Sequence, residues 1–492
     1  MIVMKFGGTS VKDAKSMQEV LKIVKSSEGK KIVLLSACSG MTDKLVCLIT
    51  DAANRAAEFP NKTIDEVEDY HINLCCELYR NELFRNYSSV LIKRYCNELR
   101  KLADGVHRLK ECSPRSLDRA ASFGELLSTT IFHFLCLENS LKPILIDARK
   151  VIKTNSNFTS AKVLMKETKK NALKIIGTEL GISSQKEKFN FTKLNYKNGN
   201  YVQKSEDLQQ TTTDGIEGNI DKSTNLVITQ GFIASDLFNK TTTLGRGGSD
   251  WSAAILGSCL NADEIQIYTD VDGILTSDPR IIKNSKLIEK ISFDEVKELS
   301  FFGAKVVHPD TIFPALSKNI PVRILNTFNT NVKGTLIYSE SKKSQSDFKS
   351  IVLKKECMYC YLKFNSKTNI HFYSNKFLNF FKRRGIKIYF QSSSISRITF
   401  LIEKNSDIKF FSEQLPGNIL IELADVNLIV LCGNDILNSD KEKYNIVFNE
   451  LLKVNDNCLF IGFTKNSLIA AVLPDYSEEI AKKIHNELFE NC

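Results

Sequence analysis

Two common nucleotide-binding signatures are missing from this chain of 492 residues. No GxxxxGK[ST] occurs, which excludes a P-loop, and no GxGxxG occurs, which removes the dinucleotide fingerprint. Nowhere do 18 apolar residues follow one another, so no membrane span is expected. The start, Met1-Ile2-Val3-Met4-Lys5, is too short an apolar run for a signal peptide and runs directly into glycines; a cytoplasmic protein is expected. Of the 13 cysteines, Cys357 and Cys360 form the one CxxC pair, with no second pair or His cluster beside it. A structural zinc needs four ligands, so no metal site is expected. Most other cysteines lie in apolar stretches, as buried reduced thiols do. The net charge of +10 is diffuse. Its densest run, Lys382-Arg383-Arg384 with Lys387, reads as a solvated helix end, so nucleic acid is not expected as a partner.

What is present is ordinary globular material, with 42% hydrophobic and 25% charged residues. At roughly 150 residues per domain, the length suggests about three domains. Over residues 1–340, β-rich runs alternate with helical patterns. Ile2–Phe6, Lys31–Ala37, Pro143–Asp147, Leu226–Ala234, Glu264–Val271 and Pro321–Leu325 read as strands. Val11–Lys25, a long stretch through 43–112, Pro114–Glu138, Trp251–Leu260 and Phe293–Phe302 read as helices. Ser113-Pro114 signals one helix start, and Ser292-x-x-Glu295 is a capping box at another. The alternation predicts an α/β fold with a largely parallel sheet. Residues 184–224 break it: they are polar, with Lys and acidic residues in balance, and predict a flexible surface insertion or a lid. After a polar linker, Ser339–Ser350, a strand–helix–strand–strand pattern runs twice to the end.

In an open α/β sheet, ligands bind beyond the carboxyl ends of the strands. Lys5-Phe6-Gly7-Gly8, Ser36 through Thr42, Phe232 and Thr269-Asp270 all fall there. Gly7-Gly8 lets backbone approach an anion closely, with Lys5 beside it as a point charge. Gly245-Arg246-Gly247-Gly248-Ser249-Asp250 opens the helical pattern at Trp251, and helix N-termini suit phosphate or carboxylate. Each loop alone is also what a tight turn without a ligand looks like.

Together they resemble the aspartate kinase family. Lys5-Phe6-Gly7-Gly8-Thr9-Ser10-Val11 is similar to its N-terminal signature, and Ser122-Phe123-Gly124-Glu125 to its S-x-G-E helix. Thr229–Ile233 with Thr241–Asp250 resembles the substrate loop. Thr269-Asp270-Val271-Asp272-Gly273-Ile274 with Asp278-Pro279-Arg280 resembles the nucleotide segment, and Phe302–Pro309 a further motif. The resemblance implies an amino-acid-kinase-like open, mostly parallel sheet with helices on both faces over 1–338. Two α+β ferredoxin-like ACT domains would follow, over 350–415 and 416–492, giving a homodimer. It implies transfer of phosphoryl from ATP, bound with Mg²⁺, to L-aspartate, the first step towards lysine, threonine and methionine through diaminopimelate. Lys5 and Asp250 are then the catalytic pair. Ser36, Thr42, Glu125, Phe232, Arg246 and Ser249 take the substrate. Lys5, Phe6, Gly7, Gly8, Thr269, Asp270, Arg280 and Lys305 take the nucleotide. His308 is read as structural.

Two positions depart from the family. Leu275 stands where a Tyr is common, and Leu401-Ile402-Glu403-Lys404-Asn405 replaces an acidic, Gly- and Ser/Thr-rich effector loop. No effector is therefore assigned. No fused homoserine dehydrogenase is expected, for want of length and of GxGxxG. Two rivals stay open: a kinase of the same fold acting on glutamate or acetylglutamate, and a non-catalytic amino-acid sensor.

Overall fold

The computed structural model describes residues 1–54, 58–182, 195–197, 200–202, 224–304, 309–339, 347–364, 370–413, 419–438, 441–453 and 457–490. Most of the insertion at 184–224, together with Lys305 and His308, lies outside the described residues, so the lid reading and those two assignments find no test in it. Within the insertion Asn195–Lys197 pairs antiparallel with Asn200–Val202. Two compact units emerge, Met1–Ile265 and Gln266–Cys492.

In the first unit, β1 (Ile2–Phe6), β2 (Lys31–Leu35), β3 (Pro143–Ile146) and β4 (Leu226–Gln230) are parallel, side by side as β1-β2-β4-β3. Every residue of β2 and β4 is buried, as expected of parallel strands covered on both faces. The helices are α1 (Ala14–Ser26), α2 (Met41–Ala52), α3 (Glu58–Leu78), α4 (Glu82–Leu109), α5 (Pro114–Glu138) and α6 (Gly248–Leu260). The long helical stretch expected through 43–112 is thus three helices; Asn81 caps α4 by accepting from the Leu83 N–H at 2.9 Å. Ser113 caps α5 as predicted, accepting from the Ser116 N–H at 3.2 Å, with Pro114 in the first turn. By length and composition α5 would cross a membrane, yet nearly all of it is buried, which makes it a core helix.

The strand expected over Leu226–Ala234 breaks in two. Phe232 adopts a left-handed φ of 64°, and the chain resumes as Ile233–Asp236, paired antiparallel with Thr241–Thr243. That conformation is costly for a bulky residue.

In the second unit β5 (Glu264–Thr269), β6 (Lys290–Ser292), β7 (Val322–Asn326) and β8 (Thr335–Tyr338) lie in the order β6-β8-β7-β5. The β7–β8 pair is antiparallel, so the arrangement is mixed there. Helix α7 (Phe293–Phe301) begins on the predicted capping box, with Ser292 Oγ accepting from the Glu295 N–H and Glu295 Oε2 from the Ser292 N–H at 2.6 Å.

The rest of this unit is one antiparallel sheet with helices. Its elements are β9 (Asp347–Phe364), α8 (Ile370–Arg384), β10 (Ile388–Ser393), β11 (Arg397–Glu403), α9 (Asp407–Glu413) and β12 (Ile419–Asn434). Then come α10 (Lys441–Leu452), β13 (Cys458–Phe463), β14 (Ser467–Val472) and α11 (Pro474–His485). The strand order is β10-β11-β9-β12-β14-β13. The doubled element pattern is as expected, but the hydrophobic cores do not divide at 415/416. One core takes Met358, Leu362, Phe377, Phe400 and Ile419. The other takes Phe348 and Ile351 together with Ile429, Leu468 and Ile484. The long strands β9 and β12 each serve both cores, with a register shift between Lys354 and Cys357 marking the junction. One module is therefore inserted in the other. Leu401–Glu403, which stand where the family has its effector loop, lie in β11.

The division at 265/266, well short of 338, has a local cause. Residues 266–339 are tied to the C-terminal sheet: Lys349 Nζ lies 3.1 Å from the buried Glu295 carboxylate, and Ser467 Oγ donates to Glu298 Oε2 at 3.1 Å. Phe302 stacks on Tyr389 with ring centroids 6.1 Å apart.

Candidate active site

The site of the first unit gathers on one short stretch, Ser36–Ser39, where β2 ends. The Ser36 N–H donates to the Phe6 carbonyl at 3.1 Å, the Ser39 N–H to Gly8 at 3.2 Å, and the Gly231 N–H to Leu35 at 3.0 Å, so three parallel strand ends are held together. Gly8 is required here, because a Cβ would lie 2.9 Å from the Ala37 carbonyl oxygen. The Phe6 side chain is fully buried, which leaves its backbone as the part able to face a ligand.

Two helices close on this stretch. From α5, Ser128 Oγ donates to the Ser36 carbonyl at 2.7 Å, and Gly124 packs against the Ala37 methyl. One turn before Ser128, Glu125 is 2% exposed. Its Oε2 has no partner among the described residues. Burial pushes its carboxyl up to about 8, against the opposing pull of the Ala37 amide. From α6, Ser249 Oγ accepts from Ser36 Oγ at 3.0 Å, and Asp250 forms an ion pair of 2.7 Å with Lys5 Nζ. Gly247 caps α6 with φ of 71°, so Gly248, Ser249 and Asp250 sit in its first turn, where a carboxylate is also favoured by the helix dipole. Phe232 is seated by its own N–H, which donates to Ser252 Oγ at 3.0 Å. Thr42 is half-buried in the first turn of α2. Arg246 is exposed and makes no ion pair among the described residues.

The structure thus brings Lys5, Gly8, Ser36, Ser249 and Asp250 onto one set of strand and helix ends, with Glu125 of mid-α5 facing the same stretch at Ala37. In the second unit, Thr269 Oγ1 donates to Asp270 Oδ1 at 3.1 Å just beyond β5. Arg280 is exposed and folds back on Asp278, with Nε 3.0 Å from Oδ1 and Nη2 2.5 Å from Oδ2, which is the turn-capping geometry.

Sequence reading missed Asp118. Its carboxylate, 2% exposed, accepts from the Thr159 N–H (2.9 Å), the Thr243 N–H (3.0 Å) and Thr243 Oγ1 (2.6 Å). It therefore fixes the strand that delivers the chain to Gly245–Asp250. Burial raises its pKa, and those donors pull the other way. A signal was there: Asp118 and Glu125 lie seven residues apart in α5, two turns along one face. Asp118→Ala should lower stability by about 2 kcal/mol or more, because buried donors lose their acceptor. A thermal melt checks this.

A model described as "Amino acid kinase family" matches residues 1–326. The chain belongs to the amino acid kinase family. Among family members, lysine-sensitive aspartokinase 3 of Escherichia coli (strain K12) is 29% identical over 506 residues, covering 99% of each chain. The chloroplastic aspartokinase 3 of Arabidopsis thaliana is 28% identical over 507 residues, covering 99% of this chain and 81% of that one. The solved structure of E. coli aspartokinase III in complex with lysine and aspartate matches with a TM-score of 0.75 at 27% identity, covering 99% of both chains. The same enzyme with aspartate and ADP matches with a TM-score of 0.70 at 27% identity, covering 99% of this chain and 100% of that one. The fold is thus the amino acid kinase architecture followed by ACT-type modules.

Proposed function

We propose that this chain is an aspartate kinase, transferring the γ-phosphoryl group of ATP to the side-chain carboxylate of L-aspartate. The observation that carries the reading is the Lys5–Asp250 ion pair beside the buried, half-partnered carboxyl of Glu125. A side-chain carboxylate oxygen attacks the γ-phosphorus, the bond from phosphorus to the β,γ-bridging oxygen breaks, and ADP leaves. The carboxylate is already ionised at neutral pH, so no general base is needed. Catalysis then rests on positioning and on neutralising charge. Lys5, oriented by Asp250, meets the phosphate charge. Glu125 receives the α-ammonium on its open oxygen, and Arg246 grips the α-carboxylate with its planar fork. Acetylglutamate, which has no ammonium, would leave Glu125 unanswered. Ser36, Thr42, Phe232 and Ser249 shape the substrate pocket; Gly7, Gly8, Thr269, Asp270, Arg280 and Lys305 complete the nucleotide set.

Magnesium, when bound with ATP, would draw charge from the phosphate oxygens. Asp250 is engaged by Lys5, and Glu125 is buried and largely protonated at neutral pH. The ion is therefore assigned to phosphate and water oxygens.

Formation of aspartyl hydroxamate with ATP and Mg²⁺ tests the reading; turnover with glutamate alone, or none, sinks it. Arg246→Ala should raise KM for aspartate by about 30-fold or more with a much smaller change in kcat, as expected when uniform binding is lost. Steady-state kinetics in aspartate decide this. Pairing of two copies through the C-terminal modules belongs to the same proposal, and sedimentation checks it.

A further inference from the structure

We infer that His485, on the C-terminal helix, is a positioning residue for the nucleotide, holding segment 270–288 in place through the hydroxyl of Thr276. The inference rests on the nucleotide-binding reading of that segment given above.

Between β5 and β6 the chain forms only one isolated bridge, Leu275 with Leu287, among the described residues. It is held instead at a few points. The Ile274 N–H donates to Thr335 Oγ1 at 2.8 Å, and the Thr276 N–H to the Lys286 carbonyl at 2.8 Å. The Thr276 carbonyl accepts from the Ile351 N–H at 2.7 Å. Ile351 lies in the half of β9 that β11 does not reach, since the β9–β11 ladder begins at Cys357. The segment therefore covers an otherwise open sheet edge.

The Thr276 hydroxyl joins this edge to α11. Thr276 Oγ1 accepts from the Lys286 N–H at 2.9 Å and lies 2.8 Å from His485 Nε2. No other acceptor for the hydroxyl proton lies among the described residues, so that proton goes to Nε2. The imidazole is then neutral with its own proton on Nδ1, which faces Glu490 Oε1 at 3.3 Å. Burial lowers the pKa of His485 and favours the same neutral form, against the opposing pull of the Glu490 carboxylate. Glu490 adds a second anchor: its Oε2 accepts from Asn284 Nδ2 at 3.2 Å. Between the two anchors lies Asp278-Pro279-Arg280, with Arg280 exposed. A buried imidazole committed to one threonine hydroxyl is an expensive way to fill space, because a Leu would pack there without needing a partner. The C-terminal helix thus fixes where Arg280 is presented.

The test uses the full chain as His485→Leu, His485→Gln, Thr276→Val and the His485→Leu/Thr276→Val double variant. Binding of a fluorescent ATP analogue is measured beside KM for ATP and for aspartate. His485→Leu and Thr276→Val are each expected to weaken nucleotide binding about fivefold, the worth of one hydrogen bond. KM for aspartate should stay within about twofold, since nothing in the first unit is touched. The double variant should be no weaker than either single one. Gln, whose amide oxygen still accepts from Thr276, should restore most of the loss. Unchanged nucleotide binding, equal losses for both substrates, multiplying effects in the double variant, or no rescue by Gln would each overturn the inference. If His485→Leu fails to fold, Thr276→Val and His485→Gln carry the decision. A wild-type protein that binds the analogue but makes no aspartyl hydroxamate would remove the proposed activity and leave this inference to be judged on binding alone.

Discussion

Replacing Lys5 with alanine is expected to reduce kcat by about a thousandfold, the upper range for removing one preorganised charge that faces the transition state. The reaction has no proton to abstract, so neutralising the transferring group is where the protein contributes most. Lys5 lies at the mouth of the Gly7-Gly8 turn and is held by Asp250 at 2.7 Å, both side chains largely shielded from water. Arginine should not substitute, because its fork would have to fit where a compact ammonium sits against Asp250. Single-turnover measurements on Lys5→Ala, with circular dichroism confirming the fold, decide the matter. Turnover near the wild-type rate would remove Lys5 from the mechanism.

The second large effect concerns Glu125 and pH. With its carboxyl pushed up to about 8, the free protein at neutral pH carries Glu125 mostly protonated, whereas the α-ammonium of aspartate needs the carboxylate. Binding at pH 7 should therefore release a proton, measurable by calorimetry in buffers of different ionisation enthalpy. KM for aspartate should fall by about 20-fold from pH 6.5 to 8.5 as the carboxylate becomes available, by the usual titration of one group. Stability runs the other way. The folded pKa lies above the unfolded value, so the native state holds the extra proton between about 4.5 and 8, and stability is lost as pH rises through that window. Glu125→Gln should flatten that slope and raise KM for aspartate at pH 8.5. An unchanged pH profile in the variant would show that Glu125 is not the titrating group.

Much of the candidate site could be read from residue order. Glycines next to a lysine, an acid inside a buried helix and a glycine-rich helix start each have a mechanical meaning, and the structure pairs Lys5 with Asp250 and Ser36 with Ser249. What stayed hidden depended on partners distant in sequence. The left-handed Phe232 splits a run that reads as one strand by composition. Asp118 looks like any helix acid until Thr159 and Thr243 arrive as its donors. Arg280 could be placed in a nucleotide set by resemblance, yet its hydrogen bonds go to Asp278, two residues away. The C-terminal elements were legible one by one, because periodicity reports what an element is. It does not report which strand lies beside it, and so the two cores were divided at the wrong point.

That nesting of modules has a consequence for synthesis. As the chain leaves the ribosome, residues 347–354 emerge before the inner module and find no strand partner in the C-terminal sheet until β12 has passed its midpoint near Asn427. The inner module can close as soon as it is made, whereas the outer one must wait for the last helix. A chain cut at 415 would lack β12 and so end with both cores unfinished and a stranded β-edge, and binding of a chaperone to such truncations would be the sign of it.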